Sequence, residues 1–195
     1  MADSTKTQLD PKALLAPCPD AIIASYDSEG KANAMAAAWC GVAASGPEQI
    51  AVGIRPSRYS IGGIKQRGCF TLNLPSAKFV KEADLFGMAS GRKINKFAAT
   101  GLTPLRSEVV DAPYIKEFPY SMSCSVTHTV DLGAHILFVA EVKEVLADSS
   151  CLDAEGKLNW RKADIIGYDT STKEYFRFGE VVGQGWQAGK AFLKA

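Results

Sequence analysis

The sequence predicts a mainly β protein, an antiparallel barrel with a few helical insertions. Two observations carry that prediction. Apolar strand-like stretches fold back on one another through short turns, and helical spacing is confined to the middle of the chain. No internal repeat or linker divides the 195 residues, so one domain is expected. A domain of this length buries roughly 70% of its unfolded surface, enough for a full core.

Taken in order, residues 1–10 are polar and expected to be loose, and Pro11 to Pro19 is a proline-bounded lead-in. Ala21–Tyr26 is a compact strand, turned back by Asp27-Ser-Glu-Gly30 with glycine where positive φ is needed. Lys31 to Trp39 returns as the second arm. Its alanines favour helix by propensity, but a turn before it and Gly41 after it favour an extended arm. Small side chains there would let a flat object lie close against the backbone. Ile50–Ile54 is the next strand. Pro56 and Ser57 stop it, with Ser57 expected to cap a helix that runs to about Gln66 and ends at Gly68.

Cys69–Leu74 is a strand with Phe70, Leu72 and Leu74 on one face and Thr71 and Asn73 on the other, closed by Pro75. Ala77 to about Met88 has helical spacing. Ala89 to Phe97 is a polar, glycine-bearing loop entering a short helix, and Gly101-Leu-Thr-Pro104 is a turn. The last third is strand-rich. Ser121–Val130 and Ala134–Leu146 are joined at Asp131-Leu-Gly133, and Ile165–Tyr168 and Lys173–Phe178 follow a polar stretch. The folded domain is expected over 11–179, with a tail over 180–195.

Composition narrows the function. The formal net charge is +1, without a block of like charges, so neither a nucleic-acid face nor a polybasic membrane patch is expected. Five scattered cysteines, none spaced C-x-x-C, and two histidines argue against a metal site. Reduced thiols, no apolar signal core and no membrane-length apolar run make a soluble cytoplasmic protein the expectation.

The stretch Ile54-Arg-Pro-Ser-Arg-Tyr-Ser60 carries the first chemical signal. A strand runs into a helix start, so free N–H groups, the hydroxyls of Ser57 and Ser60 and two arginines converge on a spot suited to a phosphate. The alternative is a pair of solvated arginines at an ordinary strand-to-helix corner. A second loop, Ser90-Gly-Arg-Lys93, offers the same donors.

Several segments in order resemble the flavin reductase-like family, and within it the flavoredoxin-type FMN-binding split β-barrel proteins. They are Asn33–Trp39, Ile54–Ser60, Phe70–Pro75, Ser90–Phe97, Gly101–Pro104 and Asp131–Val142. The resemblance implies that Asn33, Ala36, Ala37, Ala38 and Trp39 line the isoalloxazine edge of FMN. Family members often carry Thr or Ser where this chain has Ala36 or Ala37, so contact there would come from the main chain. Arg55, Ser57 and Ser60 would sit near the phosphate and ribityl chain, and Asn73 would close over the cofactor. Ser90, Gly91, Arg92, Lys93 and Lys96 would complete the phosphate side or reach the ring. His135 would face the open side of the flavin as the catalytic candidate, orienting a nicotinamide or supplying a proton.

The implied function is an FMN-dependent oxidoreductase. It would take hydride from NADH or NADPH and pass electrons to free flavin, ferric iron or a partner protein. The alternatives are an FMN-bound electron carrier with no nicotinamide site, or a flavin-binding module without turnover. The resemblance also implies a homodimer with FMN near the interface, on which the glycine-rich Gly183–Gly189 tail would dock or beside which it would fray.

Overall fold

The computed structural model describes residues 5–193; the outer parts of the expected loose segment (1–4) and tail (194–195) lie outside the described residues. The strands are β1 (Cys18–Pro19), β2 (Ala21–Tyr26), β3 (Ala32–Ala37), β4 (Cys40–Ser45), β5 (Glu48–Ile54) and β6 (Cys69–Leu74). After them come β7 (Pro104–Arg106), β8 (Pro113–Ile115), β9 (Tyr120–Asp131), β10 (Ile136–Ala147), β11 (Ile166–Asp169) and β12 (Glu174–Arg177). The helices are α1 (Ser60–Arg67), α2 (Val80–Met88), α3 (Lys96–Thr100) and α4 (Trp160–Ala163).

Seven strands form one antiparallel sheet in the order β3-β2-β6-β9-β10-β5-β4. Its two edge strands, β3 and β4, are consecutive in the chain and joined only by Ala38 and Trp39. The sheet must therefore curl until its edges meet. The N–H of Gly53 donates to the carbonyl of Trp39 at 2.8 Å, which extends the β4–β5 pairing back into that short connection. The fold is the split barrel that the sequence implied.

Period-two alternation gives β2 and β3 two buried faces. Ile23, Met35 and Ala37 point into the barrel with Ile54, Phe70, Leu72 and Phe138. Ile22, Ala24 and Ala34 point outward against Phe86 of α2, Phe97 of α3 and Phe118. The extended form of the alanine run is thus forced by tertiary pairing with β2, which overrides its helix propensity. Those alanines also serve the helix: a Cβ on Gly87 of α2 would lie 3.4 Å from that of Ala36. Full burial of Phe70, Phe86 and Phe138 contributes about 1.5–3 kcal/mol apiece. The partly exposed ion pairs contribute at most about 1 kcal/mol each, so the core holds the barrel.

Three sequence expectations need correction. Ser57 does not cap α1. Residues 55–59 make a turn, with Arg58 N–H donating to Arg55 O at 3.0 Å, and the helix starts at Ser60 with Tyr59 in the cap position and no side-chain cap bond. Second, β4, β7 and β8 were not expected; β4 is an edge strand of small, mostly exposed residues without apolar alternation.

The third concerns Asn73. It is fully buried and does not reach a cavity. Its Nδ2 donates to Ile22 O (3.0 Å) and Thr71 Oγ1 (2.9 Å), while its Oδ1 accepts from Ile115 N–H (3.0 Å) and Ser121 Oγ (2.7 Å). Every polar valence of the amide is used to tie β2, β6, β8 and β9 together, leaving none for a cofactor.

Candidate functional site

Two adjoining hollows open where the barrel rim meets α1, α2 and the loop before α3. The smaller, about 250 Å³, is walled by Asn33, Ser57, Tyr59, Ser60, Ser90, Gly91, Arg92 and Lys96. The larger, about 440 Å³, is walled by Ala36, Ala37, Ala38, Trp39, Gly53, Arg55, Asp84, His135 and Tyr168 among others. Met35 and Arg58 belong to both walls, so the hollows form one two-part groove.

The smaller hollow is braced from the turn after β2. Asp27 Oδ1 accepts the N–H groups of Glu29 and Lys31, each at 2.9 Å, and its Oδ2 accepts the Tyr59 hydroxyl at 2.8 Å. Burial works against the charge of Asp27, but these donors prevail and hold its carboxyl below the ordinary range. Tyr59 carries the Arg92 guanidinium 5.7 Å from its ring centre, and Arg92 Nη1 donates to Ser57 O at 3.1 Å. The two loops that sequence chemistry marked as anion-binding are therefore physically clasped. Asn33 Nδ2 donates to Ser60 Oγ at 2.8 Å beneath them.

Lys96 forms the floor. It is 4% exposed, and its ammonium donates to Phe86 O (3.1 Å) and Ala89 O (3.2 Å) at the end of α2. Two of its three donors are thereby used, which leaves one for a ligand. Burial, and then Arg58, lower its pKa from 10.5 to about 8.

At the larger hollow, His135 follows the β9–β10 turn and meets Trp39 edge-on, with ring centres 5.9 Å apart. Its Nε2 is buried with no hydrogen-bond partner among the described residues. Trp39 is 45% exposed and Met88 76%, leaving apolar surface at the cavity mouth.

Of the expected site residues, the structure gathers Ala36, Ala37, Ala38, Trp39, Arg55 and His135 at the larger hollow. Asn33, Ser57, Ser60, Ser90, Gly91, Arg92 and Lys96 gather at the smaller. Asn33 thus lies at the donor-rich end, away from the rest of its alanine segment. Lys93 is exposed and lines neither hollow, and Asn73 lies outside both. Sequence reasoning missed Asp20, Asp84, Tyr168 and Tyr175, which wall the far end of the larger hollow. They come from the β1–β2 connection, α2, β11 and β12 and carry no shared local motif.

A curled antiparallel barrel with a donor-lined hollow beside a larger aromatic one defines the class of flavin reductase-like split barrels. The chain belongs to that family: the flavin reductase like domain matches residues 16–164. Among solved structures it is similar to flavoredoxin of Desulfovibrio vulgaris (Miyazaki F), at 37% identity and a TM-score of 0.90, covering 94% of this chain and 99% of that one. Flavoredoxin from Methanosarcina acetivorans matches with 26% identity and a TM-score of 0.90, over 97% of this chain and 100% of that one. An uncharacterized protein of Archaeoglobus fulgidus is 33% identical over 131 residues, 67% of this chain and 74% of its own length. Among the described residues no helix is long and apolar enough to cross a membrane, and no group of side chains could hold a metal ion.

Proposed function

We propose that this chain is an FMN-dependent oxidoreductase that takes hydride from NADH or NADPH and passes electrons to free flavin, ferric iron or a partner protein. The observation that carries the proposal is the clasped smaller hollow, in which Ser57, Ser60, Ser90, Arg92 and Lys96 converge from two loops. That donor set fits a phosphate: hydroxyls, a guanidinium and one spare ammonium donor. The adjoining larger hollow, with a partnerless His135 Nε2 and an alanine wall, fits a flat ring with polar edges. FMN, once bound, supplies the hydride-accepting and electron-releasing chemistry.

The chain's own residues do the rest. Arg58, common to both walls, sets a positive field where the two hollows join, and Arg55 adds to it on the wall of the larger one. Lys96 offers the phosphate its remaining donor, and the alanines of β3 allow close approach of a ring to the backbone. His135 would orient a nicotinamide or hold a proton at Nε2. A homodimer belongs to the proposal, supported by the exposed Trp39 and Met88 at the cavity mouth and the exposed Val42 of edge strand β4. The five free cysteines support a reducing, cytoplasmic setting.

A second reading is favoured by the match to flavoredoxin at 37% identity: an FMN-bound electron carrier with no nicotinamide site. One experiment separates them. Purified protein is loaded with FMN and mixed anaerobically with NADH or NADPH. Prompt bleaching of the flavin absorbance identifies the reductase, and flavin that stays oxidised until a protein donor is added identifies the carrier. Protein that fails to take up FMN refutes both. Arg55→Ala and Ser60→Ala are each expected to weaken FMN binding.

A further inference from the structure

The far end of the larger hollow has chemistry that the proposed function does not use. Asp20, between β1 and β2, is 3% exposed and lines this cavity, and its Oδ2 has no hydrogen-bond partner among the described residues. Asp84 of α2 lines the same end, and its Oδ1 accepts the Tyr175 hydroxyl at 2.9 Å. Tyr168 and Tyr175, paired across β11 and β12, pack with ring centres 5.0 Å apart and planes tilted by 46°, and complete the wall. Arg55, Arg58 and His135 lie on the same cavity's wall, so it carries both signs of charge. Lys173 also lines it but forms no ion pair with either carboxyl.

We propose that this acidic, tyrosine-walled end is a subsite for a flat organic cation of the pyridinium type, with Asp20 as its counter-charge. A buried carboxyl oxygen without a partner is costly unless the group is neutral or a ligand completes it. Two carboxyls and two aromatic rings are the groups that attract a desolvated cation, by direct charge and by the negative faces of the rings. An anion would meet repulsion from both carboxyls. A nicotinamide hydride donor becomes such a cation when it gives up its hydride. The inference rests on the proposed function for that source of the cation, and not for the subsite itself.

The pH response follows from the neighbours. Burial, then the charge of Asp84, push the Asp20 carboxyl up to about 7. Other groups near it are Cys18 of β1, Cys40 of β4, Tyr168 of β11 and Tyr175 of β12, all with raised pKa values and therefore neutral at that pH. A cation favours ionised Asp20, so its affinity rises as pH climbs through about 7, and binding near that pH releases a proton.

The test is calorimetric titration with 1-methylnicotinamide as the cation, nicotinamide as its neutral counterpart and nicotinate as the anion. FMN-loaded and FMN-free protein are both titrated, in two buffers of different ionisation heat. The cation is expected to bind roughly tenfold more tightly at pH 8 than at pH 6, with buffer-dependent heat showing proton release at pH 7. Nicotinate is expected to bind least. Asp20→Asn should abolish the pH dependence and the proton release, and Asp84→Asn should move the rise to lower pH. Equal binding of cation and anion, no cation binding, or an unchanged pH response in Asp20→Asn overturns the inference. If Asp20→Asn does not fold, an unchanged response in Asp84→Asn overturns it. Failure to take up FMN would refute the proposed function alone, because the FMN-free titration still decides the subsite.

Discussion

Asn33 and Ser60 are joined by a buried 2.8 Å hydrogen bond that links the second residue of β3 to the first residue of α1. Gly91 closes over this pair. A Cβ built there would stand 2.3 Å from Asn33 Oδ1 and 2.5 Å from Tyr59 Cδ1. The loop before α3 can approach only because this residue has no side chain, so the clasp across the smaller hollow depends on it.

Gly91→Ala is therefore expected to wedge the clasp open. The methyl must displace the Asn33 amide or the Tyr59 ring, at a cost of about 1–3 kcal/mol in stability. FMN affinity, read from quenching of flavin fluorescence, should fall at least roughly tenfold, since one jaw of the smaller hollow moves. Wild-type affinity in this variant would refute the clasp as part of the cofactor site.

Asn73 gives the opposite pattern. Asn73→Ala strands the Ile115 N–H and the Ser121 hydroxyl without their acceptor and empties a fully buried volume. The expected loss is about 2–4 kcal/mol, measured by denaturant unfolding. In the folded fraction FMN affinity should stay unchanged, because the residue touches neither hollow. A selective loss of FMN binding without destabilisation would restore the role first expected for it.

That contrast shows what the sequence could disclose. The bounds of β2 and β6 were legible because apolar runs end at turn residues and Pro75. Edge strand β4 was not, since Val42 is 82% exposed and its neighbours are small, leaving no alternation to detect. The two donor-bearing loops that wall the smaller hollow were legible because each keeps its donors within a few consecutive residues. Asp20, Asp84, Tyr168 and Tyr175 were not, because only the pairing of β1 with β11 and β11 with β12, and the Tyr175 hydroxyl bond to Asp84 of α2, bring them together. The resemblance placed Asn73 over the cofactor, and three of the four partners that use up its amide, Ile22, Ile115 and Ser121, are too distant in the chain to show in the sequence.

Asp27 supports an acid-stability prediction. Its folded carboxyl lies below the ordinary value of 3.8, so its contribution is present above that pH and lost as pH falls below it. Asp27→Asn removes the charge that receives two N–H groups and the Tyr59 hydroxyl. It should cost about 1–3 kcal/mol at pH 7 and less at the acid end, well below pH 3.8, where the wild-type carboxyl loses its own charge. Thermal melts across that range measure both. Equal destabilisation at both pH values would refute the role of the charge.

Lys96 is expected to make the proposed phosphate binding pH-dependent. Its ammonium is buried against Phe86 and Ala89 and titrates at about 8, so it is mostly charged at pH 7 and mostly neutral at pH 9.5. A bound phosphate favours the charged form, and the phosphate itself is essentially doubly ionised throughout that window. FMN should therefore bind more weakly as pH rises, by roughly tenfold between pH 7 and 9.5. Lys96→Met keeps the buried stem but removes the ammonium. It should bind FMN weakly at every pH and flatten the profile, and part of its stability loss should come from the two carbonyls left without a donor. If Lys96→Met retains the wild-type pH slope, the titrating group is another residue, and Lys96 serves only to tie α2 to the loop before α3.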